Sequence, residues 1–445
     1  MQYAAAGALT AMWGASLPTL DARLDLGAGR LGAVLMAVAV GALVAMPVAG
    51  RLADRWTGRR LLRLTAPGAA LALAGPALAG SVELLLVAAA GLGVLLGVLN
   101  VALSVQAVAV ERAAGRPVMA TMHGVWTLGA VAAGGAVTAG LRAGVDGRVL
   151  LLLGSLALAA AAVTVAGRAL VSPMPPDAVP PPSSPTLPGA VPPPSSPTLP
   201  GAVPPPDAAT SPVVVVALGL LGGAAFVAEA AATDWAGFHA TRVLGADAAT
   251  GSLAYTLFLA AMTAVRFVGD AARSRLGVAR TVRLAGCTAT AGFGLVLLAG
   301  ELPATASARI GCALTGWALS GAGIAVVWPV VTSTLGAAGG PARQLSTVTT
   351  ISYGGGLVAP AIIGVVASHA SLPIALLIPA ALTAVIAVAS PAALAATTRR
   401  HPVLRGARHR IAADNRGRAG RRTCGPAYDA PPARDSVTCQ ARSCG

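Results

Sequence analysis

Glu229 is the residue with the most chemistry open to it. It stands in the run Ala228-Glu229-Ala230-Ala231-Ala232, with no basic residue within a helical turn on either side. A carboxyl group costs kilocalories to bury in an apolar stretch. It is therefore expected to exchange a proton or to touch a solute, and the plain alternative is a hydrogen bond to a neighbouring helix. Asp234, five residues on, is expected to reach the end of the stretch and meet water. His123, in Thr121-Met122-His123-Gly124-Val125-Trp126, is either a satisfied structural imidazole or a group for proton transfer or gating. Asn100 and Ser104 lie four apart and share a helical face, where they would line a cavity or join two helices by hydrogen bonds. Aromatic residues are only 3% of the chain. Trp13, Trp126, Trp328 and Tyr353 fall in separate apolar stretches and could stack on a solute ring. Trp235 reads more simply as a residue of the boundary between water and the apolar zone. The five cysteines have neither metal-ligand spacing nor a histidine pair, so no metal site and no cofactor is expected. Nothing has the spacing of a phosphate loop or a catalytic triad, so the chain does not read as an enzyme.

These residues need a scaffold that holds them away from bulk water. The chain is 56% hydrophobic and 11% charged, with mean hydropathy +0.75, whereas soluble domains average about 25% charged residues. No soluble fold of 445 residues hides so much apolar surface. The class is all-α polytopic membrane protein. Apolar stretches of about 20 residues, the length that crosses a bilayer, fall at 2–20, 30–50, 61–80, 83–109, 117–141 and 148–168. A second set falls at 213–238, 250–272, 281–300, 305–334, 344–368 and 372–396.

The two sets are divided by a linker at 171–212, in which AVPPPSSPTLPG, residues 178–189, recurs letter for letter at 190–201. So much proline makes an extended spacer with no core. The domains are thus a six-helix half at 1–170, the linker, a second half at 213–396, and a basic tail at 397–445 expected to be disordered. The halves look like distant copies. Trp13 corresponds to Trp235, Asp54 to Asp270, and Trp126-Thr-Leu-Gly129 to Tyr353-Gly-Gly-Gly356, in order and at similar separations. On this alignment the first helix is short at its start. Net charge is +15 and every basic residue is arginine. That charge sits in loops and the tail and not in a folded basic module, so no nucleic-acid partner is expected. The arginine bias between alternate loops puts both termini in the cytoplasm.

The densest charge lies in Gly50-Arg-Leu-Ala-Asp54-Arg55-Trp-Thr-Gly58-Arg59-Arg60, between the second and third stretches. This pattern resembles the loop joining the second and third helices of major facilitator superfamily transporters, G-x-x-x-D-R-x-G-R-R. Trp56 and Thr57 stand where that pattern has one residue. His123-Gly-Val-Trp126-x-x-Gly129, Glu229-Ala-Ala-Ala-x-Asp234-Trp235 and Arg266-x-x-Gly269-Asp270 resemble a bacterial inner-membrane clade near the fucose-permease-like branch. The resemblance covers nearly all of 1–396 outside the linker. Asn100 and Ser104 stand where that clade has an acid and an amide, which moves proton coupling toward Glu229.

The resemblance implies a twelve-helix fold in two pseudo-symmetric halves that rock about a central site in the cell membrane. It implies a monomer whose partners are the lipid bilayer, a small solute and protons. Asp54 would dock on the start of the eleventh helix near Arg343, and Asp270 on the start of the fifth near Arg116. Gly50, Arg55, Arg59 and Arg266 would complete the inner gate, with Arg266 and Asp270 four apart on one helix face. Sugar-like solutes are the first expectation. Efflux of amphipathic compounds is the second, and a non-transporting sensor or scaffold is the rival from another class.

Overall fold

In a medium without water every backbone N–H and C=O must be satisfied within its own segment, and a helix does this. The computed structural model describes residues 1–56, 58–114, 119–166, 211–337 and 342–398, and among these every regular element is helical. The helices are α1 (Gln2–Leu24), α2 (Gly27–Arg55), α3 (Gly58–Ala72), α4 (Ala74–Leu78), α5 (Val82–Ala114), α6 (Met119–Arg142) and α7 (Gly147–Ala166). They continue as α8 (Pro212–Phe238), α9 (Ala248–Leu276), α10 (Val278–Glu301), α11 (Ala306–Ile324), α12 (Val327–Ala337), α13 (Ala342–His369) and α14 (Leu372–Thr398). A π-helical turn, His239–Val243, extends α8.

Among the described residues eleven segments are long and apolar enough to cross a membrane, and α1 is not one of them. It is the helix that fills the first of the twelve expected stretches, 2–20. Thr10, Ser16, Pro18 and Thr19 dilute its hydropathy, and it tolerates them because it is buried along most of its length instead of facing lipid. Two expected stretches are interrupted. The third is broken at Leu73 into α3 and α4. The tenth is broken at Ala325 and Val326, ahead of Pro329, into α11 and α12. Pro329 falls in the first turn of α12, where a missing N–H leaves no hydrogen bond unmade.

The packing repeats between the halves. α1 lies on α6 as α8 lies on α13, and α2 lies on α5 as α9 lies on α11. Small residues set these contacts, as expected where lipid supplies no hydrophobic drive between helices. A side chain at Gly93 or Gly97 of α5 would overlap the backbone of Val38 or Ala42 in α2. Gly355 brings α13 against the backbone of Gly223 in α8, while Gly354 faces open space. Ser352 fastens the same pair by donating from Oγ to the Gly219 carbonyl at 3.0 Å. Arginines close two helix ends. Arg23 donates to the carbonyls of Pro76, Ala77 and Ala79 at the end of α4, and Arg309 donates to those of Ala299 and Gly300 at the end of α10. Carbonyls without an intrahelical partner are satisfied in both places.

Candidate functional site

The middle of α8 has two unlike faces. Ala228, Ala231, Ala232, Trp235 and Ala236 are buried, whereas Phe226, Glu229, Ala230, Thr233 and Asp234 are each partly exposed. The second set follows the i, i+3, i+4, i+7, i+8 spacing of a single helical face. α9, α13, α1, α11 and α12 all pack on α8, and aromatic residues of α9, α12 and α13 meet residues of this stripe or act on them. Phe226 to Asp234 is eight residues, a rise of about 12 Å.

Three groups from other helices act on this stripe. Arg266 of α9 is an electrostatic neighbour of Glu229, and the two do not form an ion pair. Tyr353 of α13 is close enough to interact with both Glu229 and Arg266. Tyr255 of α9 interacts with both Asp234 and Glu229, and its ring fills the space left by the missing side chain of Gly14 in α1. At one end of the stripe the rings of Phe226, Trp328 and Tyr353 form a cluster. Centroids are 4.7 Å apart for Phe226 and Tyr353, 5.2 Å for Phe226 and Trp328, and 5.9 Å for Trp328 and Tyr353. Tyr353 is 48% exposed, so the cluster presents an open ring. The site therefore holds two carboxyl groups, one guanidinium, two phenols and an aromatic wall.

About 20 Å further along α8 from Glu229, the two halves are joined. Arg242, carried on the π-helical turn, donates from Nε to Asp21 at 2.6 Å, and from Nη2 to Asp21 at 3.1 Å and Asp25 at 2.7 Å. The Asp21 side chain is 2% exposed and also accepts from the Gly27 N–H. Asp25 stands in the left-handed region, φ 44°, at the C-cap of α1. An aspartate tolerates that conformation better than most residues, and the backbone turn places its carboxylate on Arg242. Further contacts join the halves beside this clasp. Thr138 of α6 bonds Ser252 of α9 at 2.9 Å, Gly32 of α2 faces Gly364 of α13, and Pro18 of α1 fits against Gly237 and Gly251.

The expected site residues divide accordingly. The structure brings Glu229, Trp328 and Tyr353 together, and adds Arg266, which the sequence placed in a gate. Asp234, expected at the water boundary, is partly exposed and acts with Glu229 on Tyr255. Trp235, also expected there, is fully buried with its ring edge-on to Phe238. Trp13 is buried, and Trp126 is half-buried. Asn100 and Ser104 are both exposed, and the Ser104 hydroxyl is turned back on the Asn100 carbonyl at 2.8 Å. Gly50 is half-buried, Arg55 is exposed, and Arg60 lies over the Trp56 ring at 4.9 Å. The side chains of Asp54, Arg59, His123, Asp270 and Arg343 lie outside the described part of the structure, as do Arg116, the proline-rich repeat and the basic tail.

Sequence reading missed Phe226, Tyr255 and the Arg242 clasp. One signal for the clasp was present: Asp21 and Arg242 are opposite charges at matching ends of the first helix of each half, one residue out of register in the repeat. A separate small cleft between α1, α3, α5 and α7 is walled by alanine and leucine apart from Gln2. It lacks the convergent polar groups that orient a solute.

No protein-family profile matches the chain. It is 28% identical over 392 residues to an uncharacterized transporter of Sinorhizobium fredii, spanning 86% of this chain and 94% of that one. It is 29% identical over 379 residues to an uncharacterized MFS-type transporter of Yersinia pestis, spanning 83% of this chain and 88% of that one. Two solved structures share the fold. A variant of the nucleoside transporter NupG superposes with TM-score 0.64 at 15% identity over 88% of this chain and 98% of that one. A D-xylose–proton symporter superposes with TM-score 0.62 at 13% identity over 87% and 95%.

Proposed function

This chain belongs to the major facilitator superfamily of membrane transporters, and we propose that it carries a small polar solute by alternating access with proton coupling. The observation that supports this most is the relation of Glu229 to Arg266. Arg266 acts on Glu229 electrostatically, and among the described residues the two do not form an ion pair. A carboxyl group so placed has two partners to choose between, a proton and a guanidinium. Solute on the aromatic cluster of Phe226, Trp328 and Tyr353 would change that choice, which is what coupling requires. The D-xylose–proton symporter that shares the fold is a precedent for this pairing of solute and proton.

With both termini in the cytoplasm of a bacterial inner membrane, the Arg242 clasp lies on the outer side and the Gly50–Arg60 loop on the inner side. The structure then corresponds to a state closed to the outside. Asp54 and Asp270, with Gly50, Arg55, Arg59, Arg116 and Arg343, are proposed to close the inner side when the clasp opens. Asn100, Ser104, His123, Trp13 and Trp126 are the proposed contribution of the N-terminal half to the solute path.

The test is proton movement. Purified protein is reconstituted in vesicles containing a pH-sensitive dye, and a panel of neutral sugars is added outside. A sugar that drives inward proton flux in wild-type vesicles, and not in Glu229→Gln vesicles, supports the reading. Sugar flux that is unchanged by Glu229→Gln and indifferent to a pH gradient would make the protein a uniporter and end the coupling proposal.

A further inference from the structure

The corner between α9 and α10 is basic and short of acids. The two helices meet at Gly277, a single residue with φ 80°, about 43 Å of helix rise from the start of α9. Arg273 and Arg275 precede it, and Arg280 and Arg283 follow it. Between Ala271 and Ala413 the sequence has one acid, Glu301. Glu301 ends α10, about 27 Å of rise beyond Arg283. α10 packs on α9, α11 and α12 of its own half. The acid these three helices carry is Asp270 of α9, whose side chain lies outside the described residues. One carboxylate answers one of the four guanidinium groups at most. Arg273 is already engaged, donating to the Ser333 hydroxyl at 2.7 Å. Arg275, Arg280 and Arg283 are exposed, and among the described residues they have no hydrogen bond or ion pair.

Their placement on α10 is specific. Arg280 and Arg283 lie in its first two turns, where the helix dipole disfavours a cation, so they do not serve the helix itself. A bias of arginine toward one membrane face fixes an end of a helix and not a side of it. These two begin a stripe that runs on through Leu284, Cys287, Ala291 and Leu298. All six residues are exposed, and their spacing is that of a single helical face. The opposite face, with Val282, Ala289 and Phe293, is buried. On a membrane-crossing helix the exposed apolar face is the one that lipid covers, and arginines near a helix end reach the headgroup level. The corner thus sets guanidinium forks above an apolar track, the arrangement that fits a phosphate above an acyl chain. We infer that it binds an anionic phospholipid, with the phosphate on Arg280 and Arg283, Arg275 across the Gly277 turn, and an acyl chain along Leu284, Cys287 and Ala291. A zwitterionic lipid brings a cation of its own to the same arginines and fits less well. The inference is independent of the solute and its coupling, since it requires only that the chain spans a bilayer.

The test compares dioleoyl phosphatidylglycerol with dioleoyl phosphatidylcholine, which share their chains and differ in net charge. Each is titrated into the full chain in a neutral detergent, and bound lipid is counted by native mass spectrometry. Wild type should bind phosphatidylglycerol at least tenfold more tightly. Each arginine near an anionic surface is worth about fivefold in affinity, so Arg280→Gln with Arg283→Gln should weaken that binding about twentyfold. Arg421→Gln with Arg422→Gln, which removes the same charge from the tail, should leave it unchanged. Circular dichroism melting confirms that both variants are folded. A phosphatidylglycerol with a diazirine in its acyl chain should crosslink within residues 284–298. Four outcomes would each overturn the inference: equal binding of the two lipids, equal losses in the two variants, crosslinks confined to other helices, or displacement of the lipid by millimolar glycerol phosphate. The last would mark a site for a free anion. None of these readouts depends on transport, so a protein that moves no sugar can still pass the test, and a proton-coupled carrier can still fail it.

Discussion

Two arginine–carboxylate arrangements lie about 20 Å apart along α8, and they are built for opposite purposes. Arg242 grips Asp21 at 2.6 Å through a two-toothed contact and reaches Asp25 at 2.7 Å. Every oxygen of Asp21 is occupied, since the Gly27 N–H takes a further share. Arg266 faces Glu229 and does not close on it. The first is a finished contact, joining the first helix of one half to the first helix of the other. The second is unfinished, and it is surrounded by phenols and an open aromatic ring. A finished ion pair holds a state, whereas an unfinished one waits for a third party. On the proposed mechanism the first holds the closed conformation and the second carries the proton.

The comparison breaks most easily at Glu229. Glu229→Gln keeps the shape and removes the charge. We expect solute-driven proton flux to fall by about a hundredfold, in line with the loss of a positioned proton carrier, with the melting temperature little changed. A large drop in melting temperature would show that Glu229 is a structural group like Asp21.

Arg242→Ala should do the reverse. It leaves Asp21 buried and unpaired, and we expect a stability loss of about 2 kcal/mol. That is less than the roughly 3–5 kcal/mol of a fully buried pair, because the guanidinium is partly in water. A cysteine introduced at Ser252, beneath the clasp, should then react faster with a membrane-impermeant maleimide added outside. Unchanged labelling would mean that the clasp does not govern access. Gly364→Leu sharpens the same point without touching a charge. The new side chain must displace Gly32 and should cost about 1–3 kcal/mol, while raising the same labelling rate.

The smallest effect is expected at Asp247, which caps α9 by accepting from the Thr250 N–H at 2.7 Å. Asp247→Ala should cost about 1 kcal/mol and leave transport alone. Hydrogen bonds from Thr250 hold this carboxyl below its usual range. Its contribution is therefore present above the unfolded value of about 3.9 and is lost as pH falls through the lower folded value. Wild type and Asp247→Ala should thus converge in stability in acid.

Composition and the Gly50–Arg60 loop were enough to read a twelve-helix bundle and its superfamily. Alternating apolar stretches and charged loops are a one-dimensional record of a bilayer, and a helix satisfies its backbone whatever its neighbours are. Glu229 was legible for a related reason: a charge among alanines stands out without any partner being known. Interruptions were less legible. Leu73 and Ala325 are not breakers themselves, but Pro76 and Pro329 follow them within one turn, and a proline ring disturbs the helix one turn ahead of it. The phase of α8 was legible only in part: Glu229, Thr233 and Asp234 mark one side, but nothing in the pattern of its remaining, apolar residues says that Trp235, next to Asp234, is fully buried.

The amino-acid order alone determined the class and the repeat of the halves, and it set Glu229 apart as an acid in an apolar stretch. Tertiary structure decided what that acid faces. Arg266 and Tyr353 reach Glu229 from other helices, and Arg242 reaches Asp21 across both halves of the chain. Such partnerships depend on helix rotation and on glycine-set distances between backbones. Neither quantity is written in local periodicity. Both emerge only when all the helices pack at once.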